Sequence, residues 1–175
     1  KNMLDMCTGS GCIAIASAYA LKNAQVLAAD ISEKALQVTR ANIQLHRLEG
    51  RVSALQSDLF SAVPATEFDL IVANPPYVSA REMDALPDEY RCEPGLGLAS
   101  GQDGLAATLQ ILLDAPRFLG KDGVLICEVG ASDERLAQRL PGVPFLWLEF
   151  ERGGSGVFLL TRQQLEEAGP QVAAI

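Results

Sequence analysis

No run of apolar residues among these 175 approaches the roughly 20 that a helix needs to cross a bilayer. The most apolar stretch, Cys12 to Leu21, is too short and contains Ser17 and Tyr19, and no signal-peptide pattern is visible. A basic excess is lacking too: 14 Lys and Arg stand against 22 Asp and Glu, a net charge of −8. Binding a phosphate backbone normally needs a basic surface, so nucleic acid is not expected as the direct substrate. Small molecules, or a basic protein drawn in by its charge, fit better. Cys7, Cys12, Cys92 and Cys127 form neither a C-x-x-C pair nor a zinc-ligand spacing, so reduced thiols in a cytoplasmic protein are expected. The single histidine, His46, sits late in a predicted helix, where it can meet terminal carbonyls; this argues against a catalytic role. Repeats and low-complexity segments are absent. What remains, 49% hydrophobic and 21% charged residues, is the mix of one globular domain. Lys1 is no initiator and the first strand begins at once, so an N-terminal part is expected to be missing.

Short runs of Val, Ile and Leu alternate with helical patterns, the signature of βα units and a parallel sheet. Strands are predicted at Met3–Asp5, Gln25–Asp30, Val52–Gln56, Phe68–Ala73 and Val124–Val129. Helices are predicted at Cys12–Leu21, Glu33–Leu48, Leu105–Phe118 and Glu134–Leu140. Ser32 is placed to cap the second helix and Gly50 to end it. Phe145–Glu149 and Gly156–Thr161 read as strands joined by a turn containing Gly153 and Gly154. So short a link requires an antiparallel hairpin, since a parallel crossover needs about a dozen residues or more. Between Asn74 and Gly104 the pattern loses its period and carries Pro75, Pro76, Pro87 and Pro94. A loop that long in a compact domain is usually functional.

The first strand leads into Asp5-Met6-Cys7-Thr8-Gly9-Ser10-Gly11, and a helix follows. Gly9 and Gly11 allow a sharp turn and close approach to a ligand, with Thr8 and Ser10 between and beside them. The N–H groups at the helix start face that ligand. A dinucleotide fingerprint wants a third glycine, but Ala14 stands there. The second strand ends in Asp30, where an acid can accept both ribose hydroxyls. After the third strand comes Ser57-Asp58-Leu59-Phe60: Asp58 can accept from an adenine amino group while Leu59 or Phe60 packs on the ring. Three acids after three consecutive strands, rather than Lys or Arg, favour S-adenosylmethionine over a dinucleotide.

The fourth strand runs into Asn74-Pro75-Pro76-Tyr77. The prolines fix their own φ and push the preceding residues into extended conformations, which makes a stiff loop with preset carbonyls. An amide or aromatic amine nitrogen is a poor nucleophile because its lone pair is delocalised. Two acceptors, the Asn74 side-chain oxygen and the Pro75 carbonyl, can hold its two N–H groups so that the lone pair faces a methyl donor. Tyr77 would pack on the planar group. Catalysis is then mostly positioning, with no metal called for.

These residues together resemble the amino-methyltransferases with an (Asn/Asp)-Pro-Pro-(Tyr/Phe/Trp) motif, and more closely the HemK-type protein-(glutamine-N5) methyltransferases. Arg91-Cys92-Glu93-Pro94, running on to Gly101-Gln102-Asp103-Gly104-Leu105, matches the family's Glu-Pro…Gly-x-Asp-Gly segment, with Cys92 where His is usual. The tail from Trp147 to Phe158 resembles the branch that modifies the third large-subunit ribosomal protein, rather than the release-factor branch. The resemblance implies an α/β fold, a Rossmann-like class I methyltransferase whose mostly parallel sheet ends in an antiparallel hairpin. It implies transfer from S-adenosylmethionine, leaving S-adenosylhomocysteine, to a glutamine amide of a basic ribosomal protein. Asp5, Thr8, Gly9, Ser10, Gly11, Asp30, Asp58, Leu59 and Asn74 would hold the cofactor. Asn74, Pro75, Pro76, Tyr77 and Glu93 would hold the substrate. The family also carries an N-terminal helical substrate-binding domain, which these 175 residues lack; they would form the catalytic domain alone.

Glu93 either lines the substrate pocket or fixes the long loop. Glu128 either faces the cleft or is structural, Trp147 reads as core, and Gln171 to Ile175 as a frayed end. Three alternatives stay open: the same reaction on a release factor, a nucleic-acid amino-methyltransferase, and a cofactor-binding module without catalysis of its own.

Overall fold

The computed structural model describes residues 1–76, 104–151 and 154–175. The described residues form a seven-stranded sheet in the order β3-β2-β1-β4-β5-β7-β6. Its strands are β1 (Asn2–Met6), β2 (Gln25–Asp30), β3 (Val52–Gln56), β4 (Phe68–Ala73), β5 (Leu119–Glu128), β6 (Leu146–Trp147) and β7 (Val157–Thr161). The first five run parallel; β7 lies antiparallel to both β5 and β6. The expected hairpin is there, with β7 inserted between β5 and β6.

Helices cover both faces. α1 (Cys12–Ala20) and α2 (Glu33–Leu45) contribute Ala14, Ile15, Ala18 and Ile43 to a core with Met3, Val26, Ala28 and Val52. α3 (Ala106–Asp114) and α5 (Arg162–Ala173) close the other face over Leu4, Ile71, Leu125 and Phe158, while α4 (Asp133–Arg139) adds Leu136. Alternation along β1 and β4 sends neighbouring side chains to opposite cores, as a period of two requires. Trp147 packs edge-on against Phe158 with ring centroids 5.6 Å apart, a core role as expected.

Several boundaries differ from expectation, each for a local reason. α2 is capped by Ser32, whose hydroxyl accepts the Ala35 N–H, but it ends at Leu45 instead of Leu48. The left-handed residue that stops it is Arg47, with φ 56°, and not Gly50. Arg47 N–H donates to the Gln44 carbonyl and Leu48 N–H to that of Ile43, while Leu48 and Ile43 bury together. This is a Schellman ending, forced on a non-glycine by the burial of the leucine that follows. The helix expected over Leu105–Phe118 tightens into a 3₁₀ turn at Ala115–Arg117, where Pro116 lacks an N–H. β5 begins at Leu119 and ends at Glu128, and between its pairings Phe68↔Leu119 and Leu70↔Val124 the register shifts around Gly120–Gly123. β6 shrinks to two residues. The tail is no frayed end: α5 starts in a capping box at Thr161, continues to Ala173 and buries Val172. The expectations that rest on Tyr77, Pro87, Cys92, Glu93, Pro94 and Gly153 lie outside the described residues.

Candidate active site at the carboxyl edge of the sheet

In an open α/β sheet, ligands bind beyond the carboxyl ends of the strands. β1, β2, β3 and β4 end there in the segments singled out by sequence. The Asp5 side chain is fully buried, and its Oδ2 accepts from the Thr8 hydroxyl and, at 2.9 Å, from Ala14 N–H at the start of α1. It thus ties the strand to the helix it feeds. Among the described residues Asp5 Oδ1, though buried, has no hydrogen-bond partner. Burial pushes this carboxyl up to about 6, against the pull of the Thr8 and Ala14 bonds, and the nearby charge of Asp30 pushes the same way.

Asp30 fixes the glycine loop from the neighbouring strand. Its Oδ2 accepts Gly9 N–H at 2.9 Å and its Oδ1 accepts Ser32 N–H at 2.8 Å. The carboxylate is half-buried and each oxygen keeps a second lone pair for a donor from the cleft. Cys7 stands among the acids. Burial first, then the charges of Asp30, Asp5 and Asp58, push its thiol up to about 12, so it stays protonated at neutral pH. Asp58 itself is exposed. Phe60, one of two candidates for packing on a ring, is committed to the core, stacked on Phe118 at 4.7 Å. Leu59, half-buried with φ 44°, is left as the apolar side chain at that turn.

The two loop glycines do different work. A Cβ on Gly9, at φ 58°, would meet nothing within 4 Å, which leaves open space in front of the loop. A Cβ on Gly11, at φ 83°, would lie 2.8 Å from Thr39 Cγ2. Gly11 is therefore required for the packing of α1 against α2. α2 also holds the loop from behind: Thr39 hydroxyl donates to the Gly9 carbonyl at 2.8 Å and Asn42 Nδ2 to the Ser10 carbonyl at 2.9 Å. Sequence reading missed both. Their signal is two polar residues three apart on the inner side of an amphipathic helix. Ser57 was missed as well; its hydroxyl, bonded to the Leu59 carbonyl and Ala62 N–H, shapes the turn bearing Asp58. So was Ile31, an exposed apolar residue directly after Asp30.

Asn74 continues β4 beyond Ala73. Its N–H reaches the Met6 carbonyl at 3.4 Å, which sets Asn74 beside the end of β1 and the glycine loop. Asn74 is half-buried, Pro75 buried and Pro76 half-buried. A hollow of about 570 Å³ among Asn2, Glu67, Asp69 and Gly120 opens at the opposite edge of the sheet, away from these loops. No described helix is long and apolar enough to cross a membrane.

Strand order and edge loops define the class: this is the fold of the class I methyltransferases. A methyltransferase from Pyrococcus furiosus superposes with a TM-score of 0.68 over 91% of this chain and 74% of that one, at 18% identity. The family model described as the methyltransferase small domain matches residues 1–87. The chain is homologous to enzymes named ribosomal protein uL3 glutamine methyltransferase. It is 47% identical to that of Francisella tularensis and 51% identical to that of Neisseria gonorrhoeae, over 94% of its own length in each case. It spans about half the length of these relatives, 52% and 54% respectively.

Proposed function

We propose that the chain is the catalytic domain of an S-adenosylmethionine-dependent methyltransferase acting on the side-chain amide nitrogen of a glutamine in ribosomal protein uL3. The observation that carries this reading is the placement of Asn74 and Pro75, held by the Asn74–Met6 bond beside the glycine loop. The cofactor fits the residues present. The unpartnered Oδ1 of Asp5 and the open space before Gly9 suit a ligand with a donor on one side and bulk against the loop. Asp30 would take the ribose hydroxyls; Asp58 and Leu59, joined by Ile31, would take the adenine. Acids with no countercharge among the described residues suit a cationic sulfonium group.

Bound S-adenosylmethionine supplies an activated methyl group. The chain's part is to bring the amide to it. Asn74 Oδ1 and the Pro75 carbonyl accept the two amide N–H groups, which turns the nitrogen lone pair toward the cleft. Tyr77 and Glu93, which lie outside the described residues, are assigned to the substrate by the family resemblance alone. Positioning of this kind is worth several powers of ten in rate. The methylated nitrogen then gives up a proton to water. A net charge of −8 favours encounter with a basic ribosomal protein, and the relatives' names point to the same partner.

The test is transfer of labelled methyl from S-adenosylmethionine by the full-length gene product, offered purified uL3, a release factor and RNA in parallel. Label in uL3 supports the proposal. Label in the release factor moves the substrate, and label in RNA alone removes the glutamine assignment.

A further inference from the structure

Glu128 closes β5 at the same edge, half-buried, and the reaction as described leaves it unused. Among the described residues its carboxylate has no hydrogen-bond or ion-pair partner, and neither has the side-chain amide of Asn74. The register of β4 on β5 pairs Val72 with Ile126 and Ala73 with Cys127, so one residue further it sets Asn74 beside Glu128. Ala73 and Cys127 point into the core. Asn74 and Glu128 therefore rise together from the other face of the sheet. Pro75 keeps Asn74 extended, which continues the strand geometry. Neighbouring strands lie about 4.8 Å apart, so a change of rotamer brings the two side chains into hydrogen-bond contact.

An asparagine amide has two unlike ends: its oxygen accepts and its nitrogen donates. Holding a substrate N–H requires the oxygen to face the substrate. An ionised carboxylate can only accept. Glu128 takes the Nδ2 end, and Oδ1 is then left toward the cleft. We propose that Glu128 is a positioning residue that fixes the orientation of the Asn74 amide when substrate binds. This rests on the role given to Asn74 under the proposed function.

The experiment is steady-state transfer to uL3 by the full-length gene product, with calorimetric binding of S-adenosylmethionine alongside. Glu128→Ala loses a charge-assisted hydrogen bond, so kcat falls about 10- to 100-fold, while KM and the cofactor Kd stay within about twofold. Asn74→Asp falls comparably, because two carboxylates now face each other without a donor between them. Exchanging the roles restores the pair: Asn74→Asp with Glu128→Gln recovers about tenfold or more over Asn74→Asp alone. A double variant no better than Asn74→Asp overturns the inference. So does a Glu128→Ala enzyme with full kcat, or one whose loss lies wholly in cofactor binding. If Asn74→Ala keeps full kcat, the role of Asn74 itself fails. If Asn74→Ala is inactive and Glu128→Ala fully active, only the positioning role fails.

Discussion

Alanine at Gly11 would be charged twice by the structure, and alanine at Gly9 only once. Gly11 has φ 83°, a left-handed conformation that costs an L-residue roughly 1–2 kcal/mol. Its new Cβ would also press on Thr39 Cγ2 at 2.8 Å, an overpacking worth about 1–3 kcal/mol. Gly11→Ala should therefore lose about 2–5 kcal/mol of stability in urea unfolding. Thr39→Ser keeps the hydroxyl that holds the Gly9 carbonyl but removes the methyl. Placed on Gly11→Ala, it should recover about 1–3 kcal/mol. Gly9→Ala has φ 58° and open space before it, so it should cost only about 1–2 kcal/mol. Its larger effect should be on calorimetric affinity for S-adenosylmethionine, because the methyl enters the space assigned to the cofactor. A Gly11→Ala loss under about 0.5 kcal/mol, or one that Thr39→Ser leaves untouched, would refute the packing role. Unchanged cofactor affinity in Gly9→Ala would refute the ligand-facing role.

Arg47→Gly relieves a left-handed arginine at the end of α2, and urea unfolding should show a gain of about 0.5–1 kcal/mol; a loss would contradict the Schellman ending. Asp5 titrates higher in the folded chain, about 6 against an ordinary 3.8, so the native state binds its proton more tightly than the unfolded chain. Stability relative to Asp5→Asn should therefore fall as pH rises from 3.8 through about 6, by roughly 3 kcal/mol in all. A difference flat in pH would contradict the burial argument. A cationic ligand there would draw the carboxyl down, so cofactor affinity should rise across the same window.

β2, β3 and β4 were legible to the residue because each is a short apolar run stopped by a polar or proline-bearing turn. The ends that were misread depend on partners distant in sequence. Arg47 is left-handed because Leu48 must reach the core, and the tail stays helical because Val172 is buried. At the site, the acids and Asn74 announce themselves by standing where strands end. Thr39 and Asn42 do not, since the carbonyls they hold lie 30 and 32 positions away. The two glycines looked alike in sequence and differ only in what faces them.

The central claim is methyl transfer to an amide nitrogen held by Asn74. Its most direct test is fragmentation mass spectrometry of uL3 after reaction with the full-length gene product and methyl-labelled S-adenosylmethionine. The account predicts the label on the side-chain nitrogen of a glutamine, and its loss with Asn74→Ala while the cofactor still binds. Label on another residue type, or undiminished labelling by Asn74→Ala, would contradict it.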